Sequence, residues 1–73
     1  MSVKTVKGFG NSVRYYRLEQ KLSQEKLSNL CGLHRTYIGS VERGEKNATI
    51  KVVFALADAL KIDAGEFFKR EIT

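Results

Sequence analysis

Two short helical segments separated by one glycine constrain this chain more than any other feature. Residues 24–44 have the sequence QEKLSNLCGLHRTYIGSVERG. Leu27, Leu30 and Cys31 fall on one face at helical spacing. Gly32 follows at once, and a glycine readily takes the positive φ that commonly ends a helix. The stretch therefore predicts a helix, a tight turn and a second helix.

The second helix of this pair is predicted to begin near His34 or Arg35, and its two faces differ. The apolar positions are Leu33, Ile38 and Val41. The opposite face offers a guanidinium, hydroxyl groups, a phenol and one bare backbone position, a combination that can hydrogen-bond base edges and phosphates. Its members are Arg35, Thr36, Tyr37, Gly39 and Ser40.

This pair of helices resembles the helix-turn-helix of the Cro/CI regulators, the XRE-like family. Within that family, LHRTYIGSVERG followed by NATI is most similar to the controller proteins of restriction–modification operons. The likeness extends from Phe9 to Phe68. It implies an all-α, five-helix lambda-repressor-like DNA-binding domain with the helix-turn-helix at about 24–42. Residues 1–8 would form a flexible or basic arm, and 9–73 a single domain that includes dimerising C-terminal helices.

The remaining helices are placed by periodicity and by capping residues. The first helix is predicted over 9–21, with Gly10 or Asn11 near its start and an apolar series of Phe9, Val13, Tyr16 and Leu18 to Leu22. Ser23 is expected to cap the second helix, and Thr49 a fourth helix that runs to about Lys61. A fifth helix is expected over roughly 64–71, opened by a capping box from Asp63 to Glu66.

The fourth helix is apolar on more than one side. Ile50, Val53, Leu56, Ala57 and Leu60 match core positions of the family, as does Phe67 further on. A second stripe, formed by Val52, Phe54, Ala55 and Ala59, is more than a domain of this size can obviously bury, so we expect it to be shared with a partner. The predicted dimer contacts are Phe54, Ile62, Phe68 and Ile72.

Charge is spread unevenly along the 73 residues, whose formal net charge is +5. Residues 1–51 carry ten Lys and Arg against four Glu, whereas residues 52–73 carry three against four acidic residues. The basic character of residues 1–51 favours contact with a polyanion, and the nearly neutral residues 52–73 favour contact with protein. An ordinary solvated basic surface is the alternative when charge alone is considered.

Several classes of protein are disfavoured by composition. One cysteine cannot form an intramolecular disulfide, and no Cys and His residues have metal-ligand spacing, so Cys31 is expected to be a small buried hydrophobe. His34 lacks catalytic partners, and no nucleophile–base set points to an enzyme. We expect no cofactor, no membrane span, no signal peptide and no small-molecule ligand, and a cytoplasmic, nucleoid-associated protein.

The resemblance also assigns individual residues to DNA. Arg35 heads the groove-facing helix and is expected to contact bases together with Thr36 and Ser40. Gly39 departs from many relatives and removes one possible base contact. Expected backbone contacts are Gln24, His34, Tyr37, Arg43, Lys46 and Asn47; for Lys46, simple exposure is an equal alternative. Arg17 is expected to pair with Glu42 and to fix the first helix across the end of the third.

The expected function is that of a homodimeric regulator on a palindromic operator in double-stranded DNA, autoregulating a restriction–modification operon. RNA polymerase is a further candidate partner. A phage-type repressor or an antitoxin that silences its own operon shares this architecture. A protein-binding adaptor module is the alternative from a different class, and it predicts little dependence of binding on salt.

Overall fold

The computed structural model describes residues 6–69, and helices account for most of them. In chain order these are α1 (Val6–Glu19), α2 (Gln24–Cys31), α3 (Arg35–Glu42), α4 (Ile50–Leu60) and a 3₁₀ turn (Ala64–Phe68). No strand occurs within residues 6–69. The all-α prediction is confirmed, whereas four α-helices and a 3₁₀ turn replace the five helices expected.

Helices α2 and α4 begin at the capping residues that the sequence predicts. The Ser23 hydroxyl accepts a hydrogen bond from the Lys26 backbone N–H at 3.0 Å, and Thr49 Oγ1 accepts one from Val52 N–H at 3.2 Å. Gly32 ends α2 with φ 78° and ψ 6°, and its N–H donates to Ser28 O. These local signals confirm the bounds of the helix-turn-helix.

Helix α1 differs from its prediction at both ends. It begins at Val6 and ends at Glu19, so residues 6–8 of the expected arm are helical, and residues 1–5 lie outside the described part of the chain. Gly10 is therefore inside the helix and not near its start. A Cβ on Gly10 would lie 2.1 Å from Val41 O, so the backbones of α1 and α3 touch at this point and only glycine fits.

The core lies between α1, α2, α3 and α4, and it is closed by the 3₁₀ turn. Phe67 is fully buried, and its ring meets that of Phe9 edge to face at a centroid distance of 5.1 Å. The predicted core positions Val53, Leu56, Ala57 and Leu60 of α4 are buried. The other buried apolar side chains are Phe9, Val13, Leu27, Ile38 and Val41.

Three residues expected on apolar faces are exposed instead, and Cys31 is only half-buried. The side chains of Leu18, Leu30 and Ile50 are 48%, 58% and 73% exposed. Ile50 is the first residue of α4, and α2 is so short that it buries only Leu27. A side chain at a helix end has fewer neighbours to cover it, which periodicity alone does not report.

The predicted capping box after α4 is wrong. Asp63 makes no side-chain capping bond. Because the segment is a 3₁₀ turn, the Glu66 N–H that such a cap would bind donates to the backbone carbonyl of Asp63 at 2.9 Å. The Glu66 carboxylate accepts from Tyr16 Oη at 3.4 Å and from Lys69 Nζ at 2.9 Å. Glu66 therefore ties the turn to α1.

Candidate nucleic-acid interface

Helix α3 divides into a buried face and a polar outer face. Ile38 and Val41 are fully buried on its inner side. On the outer side Arg35 and Thr36 are exposed, and Ser40 is half-buried. Helical periodicity thus brings the three predicted base-contacting side chains together on one surface.

Arg17 of α1 and Glu42 at the end of α3 form the ion pair that the resemblance implies. Arg17 Nε donates to Glu42 Oε2 at 2.7 Å, and Arg17 Nη2 donates to Oε1 at 2.9 Å. Arg17 Nη1 also donates to Leu22 O at 2.8 Å. The guanidinium therefore has a partner on each nitrogen, as a buried charge requires.

Gln24, an expected phosphate contact, is engaged within the protein. Its Nε2 donates to Glu42 Oε1 at 3.1 Å. Its Oε1 lies 3.4 Å from the position that a Cβ on Gly39 would take. Gly39 itself is buried, so it is not the bare backbone position that the sequence predicts for the outer face. Gln24 and Arg43 cover it, because a glycine leaves room for long neighbouring side chains.

His34 caps α3, in agreement with the prediction that this helix begins near His34 or Arg35. Its Nδ1 accepts a hydrogen bond from Thr36 N–H at 3.1 Å. A neutral imidazole that accepts at Nδ1 carries its proton on Nε2, and the His34 side chain is exposed. Nε2–H is thus a donor at the N-terminus of α3.

Ser40 has its hydroxyl proton committed to the helix. Its Oγ donates to Thr36 O at 3.1 Å, one turn back. The hydroxyl oxygen retains lone pairs, and these can accept a hydrogen bond from a base amino group. In this rotamer Ser40 is therefore an acceptor and not a donor.

Arg35 extends into solvent with one acidic neighbour. Its Nη1 lies 3.5 Å from Glu25 Oε1 of α2, and the two side chains are 62% and 69% exposed. An exposed pair of this length contributes little to stability and is readily exchanged for another anion or acceptor. The Arg35 side chain thus stays exposed on the outer face, with only a weak contact to hold it.

The loop after α3 is tied back to the helix. Arg43 Nε donates to Glu45 Oε2 at 2.9 Å, and Arg43 Nη2 donates to Glu45 Oε1 at 3.1 Å. These hydrogen bonds hold the pKa of Glu45 below its usual range. Tyr37 Oη donates to Asn47 O at 3.4 Å. Lys46 and Asn47 are exposed.

The residues expected at a dimer interface form a partly exposed apolar group. Phe54 is 54% exposed and Phe68 is 42% exposed. Phe68 also stacks on Phe9 at a centroid distance of 5.7 Å, so part of its ring supports the core. Ile62 is half-buried, and Ile72 lies outside the described residues.

The sequence interpretation missed the acidic partners of Arg35 and Arg43. Glu45 stands two residues after Arg43, which is a usable local signal. Glu25 meets Arg35 only because α2 packs beside α3, and no sequence spacing indicates that contact.

Residues 6–69 contain neither a candidate metal site nor a candidate membrane span. No group of three or more His, Cys, Asp and Glu side chains there could hold a metal ion. None of the described helices combines the length and apolar character that crossing a membrane requires.

Known proteins similar to this chain confirm the resemblance inferred from its sequence. A family model described as helix-turn-helix matches residues 13–67. Control protein C.SmaI of Serratia marcescens is 44% identical over 71 residues, which are 97% of this chain and 82% of that protein.

Two solved structures of controller proteins share the fold. The restriction-modification controller protein C.AhdI from Aeromonas hydrophila has a TM-score of 0.84 and 43% identity, over 86% of this chain and 96% of that one. The controller protein C.Esp1396I, solved as a tetramer in complex with its natural 35 base-pair operator, has a TM-score of 0.80 and 32% identity, over 86% and 83% of the two chains.

Proposed function

Because this chain belongs to the helix-turn-helix family of XRE-like regulators, we propose that it binds a palindromic operator as a homodimer and autoregulates a restriction–modification operon. It is a DNA-binding regulator of the controller type, and its family is not an enzyme family. The operator symmetry, the dimer and the autoregulation are the parts that we propose.

The observation that carries the proposal is the polar outer face of α3. Arg35 and Thr36 are exposed, while the inner face of the same helix is buried against the core. The major groove is just wide enough to admit one α-helix, whose N-terminal residues then reach base edges. We assign base contacts to Arg35, Thr36 and Ser40, with Arg35 bonding guanine O6 and N7 together.

Phosphate contacts would come from both ends of this helix. At the N-terminal end, Gln24 begins the neighbouring α2, and His34 and Tyr37 lie at the start of α3. At the other end, the loop after α3 holds Lys46 and Asn47. The excess of Lys and Arg in residues 1–51 supports this assignment, since phosphate neutralisation supplies most of the non-specific affinity for DNA.

Dimerisation is favoured by the size of the domain and by its exposed aromatic rings. A single module buries only about 600–1,000 Å² on DNA, and two modules about 34 Å apart meet successive major grooves of a palindrome. Phe54 and Phe68 leave apolar surface in water that a second copy would cover. We assign the interface to these two residues with Ile62 and Ile72.

Regulation would then follow from protein concentration. Dimerisation and the filling of adjacent operator sites both depend on concentration, and the tetramer of C.Esp1396I on its 35 base-pair operator supports this mode. RNA polymerase is the further partner that an activating site would need. Acting on operator DNA, the protein would work in the cytoplasm at the nucleoid.

Two alternatives share some of these features. A phage-type repressor or an antitoxin would use the same outer face but silence its operon at every concentration. A protein-binding adaptor would not need the excess of Lys and Arg in residues 1–51, and its binding would change little with salt.

Footprinting on DNA upstream of the chain's own gene tests the proposal. We expect protection of two half-sites one helical turn apart, at protein concentrations where sedimentation detects the dimer. Transcription from that DNA should rise and then fall as protein is added. The absence of any protected site would refute the proposal, and monotonic repression would favour the repressor or antitoxin alternative.

A further inference from the structure

We propose that Arg43 contacts a base edge in the major groove as a second sequence-determining arginine, and that Glu45 positions it there. The inference rests on the DNA-binding function proposed above and extends it by one specificity residue and one positioning residue. It replaces the phosphate contact that the sequence predicts for Arg43.

The first argument is the direction in which the Arg43 side chain lies. Arg43 is the C-cap of α3 and has helical dihedral angles, φ −83° and ψ −4°. Its neighbours on the helix surface are therefore the residues three and four positions earlier, Ser40 and Gly39. Arg43 Nη2 lies 3.5 Å from Ser40 Oγ, so the guanidinium reaches the outer face that Arg35 also occupies.

The second argument is the space left by Gly39. Side chains on a helix lean toward its N-terminus and cover the preceding turn. A Cβ on residue 39 would lie 3.2 Å from Arg43 Nη1, closer than most such contacts. The glycine therefore lets the guanidinium lie along the helix. Gly39 has no side chain to contact a base, and in our proposal the Arg43 guanidinium makes that contact from the space above Gly39.

The third argument is the orientation imposed by Glu45. The carboxylate accepts from Arg43 Nε and from one N–H of Nη2. The second N–H of Nη2 is directed at Ser40 Oγ at 3.5 Å, a long contact that a base acceptor can replace. Together with one N–H of Nη1 it forms a pair of parallel donors, which is what guanine O6 and N7 accept.

The charge of the pair explains why this arrangement favours sequence selection. Arg43 and Glu45 together carry no net charge, so they add little to the general attraction for phosphates. The phosphates repel the Glu45 carboxylate, and a hydrogen-bonded contact of Arg43 with guanine offsets that cost. Sequences without the matching guanine are then penalised, which is one way that proteins discriminate.

Selection from a randomised double-stranded DNA library tests the proposal, with the wild type, Arg35→Ala, Arg43→Ala and Lys46→Ala compared. Arg43→Ala should lose the preference for one guanine in each half-site, at a position different from the one lost in Arg35→Ala. Selectivity at that position should fall about 5- to 150-fold. Lys46→Ala is the matched control, because its exposed charge lies three residues away; it should weaken all sequences alike and reduce the salt slope by about 1.

Two further variants separate positioning from charge. Glu45→Gln should bind random duplexes more tightly and with a steeper salt dependence, while the preference at the Arg43 position weakens. Gly39→Ala should weaken the same preference without a change in charge, because it displaces the guanidinium. The Arg43 and Glu45 side chains are more than half exposed, so melting curves of their variants should match the wild type.

The outcomes distinguish this inference from the function on which it rests. An Arg43→Ala protein that keeps every positional preference and weakens all sequences equally would show a phosphate contact and overturn the inference alone. A wild-type protein that enriches no sequence would overturn both.

Discussion

Arg17 and Glu42 form a buried bidentate ion pair that joins α1 to the last residue of α3. The two side chains are only 9% and 3% exposed, and the N–O distance of the closer bond is 2.7 Å. Arg17 Nη1 donates to the Leu22 carbonyl, and Glu42 Oε1 accepts a further hydrogen bond from Gln24 Nε2. The angle between α3 and α1 is thus fixed by hydrogen bonds of defined direction as well as by apolar packing.

Arg17→Ala is expected to lower stability and DNA affinity together. The substitution leaves the Glu42 carboxylate buried without its main partner, which typically costs about 3–5 kcal/mol. Because α3 then loses its fixed angle, operator affinity should fall as well. Urea unfolding and a gel-shift titration measure the two effects.

The control is the double variant Arg17→Met with Glu42→Leu. It removes both charges at similar volume, so it should be more stable than Arg17→Ala. An unaltered unfolding curve for Arg17→Ala would show that the pair does not support the fold.

Gly10→Ala is expected to destabilise the domain although alanine is the better helix former. Helix propensity alone favours alanine by about 1 kcal/mol. A Cβ 2.1 Å from Val41 O forces α1 and α3 apart, and overpacking of this kind costs about 1–3 kcal/mol or more. The free energy of unfolding in urea should therefore fall.

Gly65→Ala is the matched control for this prediction. A Cβ on Gly65 meets nothing within 4 Å, so the change should be neutral or stabilising by about 0.4–1 kcal/mol. Equal effects of the two substitutions would mean that the contact between α1 and α3 is not close.

Arg35→Ala is expected to abolish operator preference and to leave the fold intact. The Arg35 side chain is 62% exposed and contacts only Glu25 weakly, so little stability depends on it. A lost bidentate guanine contact should reduce the ratio of specific to non-specific affinity by about 5- to 150-fold. Competition gel shifts with operator and random duplex measure this ratio, and an unchanged ratio would remove Arg35 from the base-contacting set.

Phe68→Asp is expected to yield monomers in sedimentation experiments, because a carboxylate is costly to bury in an apolar interface. Since Phe68 also stacks on Phe9, Phe54→Asp is a second variant with a less damaging effect on the core. Leu30→Asp is the control, because Leu30 is an apolar residue about as exposed as Phe54 and lies outside the proposed interface. Dimers that persist in both Phe variants would place the interface elsewhere.

Local chemistry explains why much of the helix-turn-helix was predictable. Ser23, Gly32 and Thr49 act within one turn of their own position, through a hydroxyl bond to a nearby N–H or through a positive φ. The buried positions of α4 follow from helical periodicity in the same way. The exposed Leu30 and Ile50 show the limit of periodicity, since it reports a face but not what covers that face.

The two helices of the motif, the turn between them and the outer positions of Arg35, Thr36 and Ser40 follow from contacts within a few residues, so the sequence predicts them. Tertiary packing makes Gly10 the contact point of α1 with α3, lets Gln24 and Arg43 cover Gly39, and brings Glu25 beside Arg35. Those relationships join residues far apart in the chain or depend on the rotamer of a long side chain. The packing of helices against one another selects among them, and no spacing in the sequence encodes that choice.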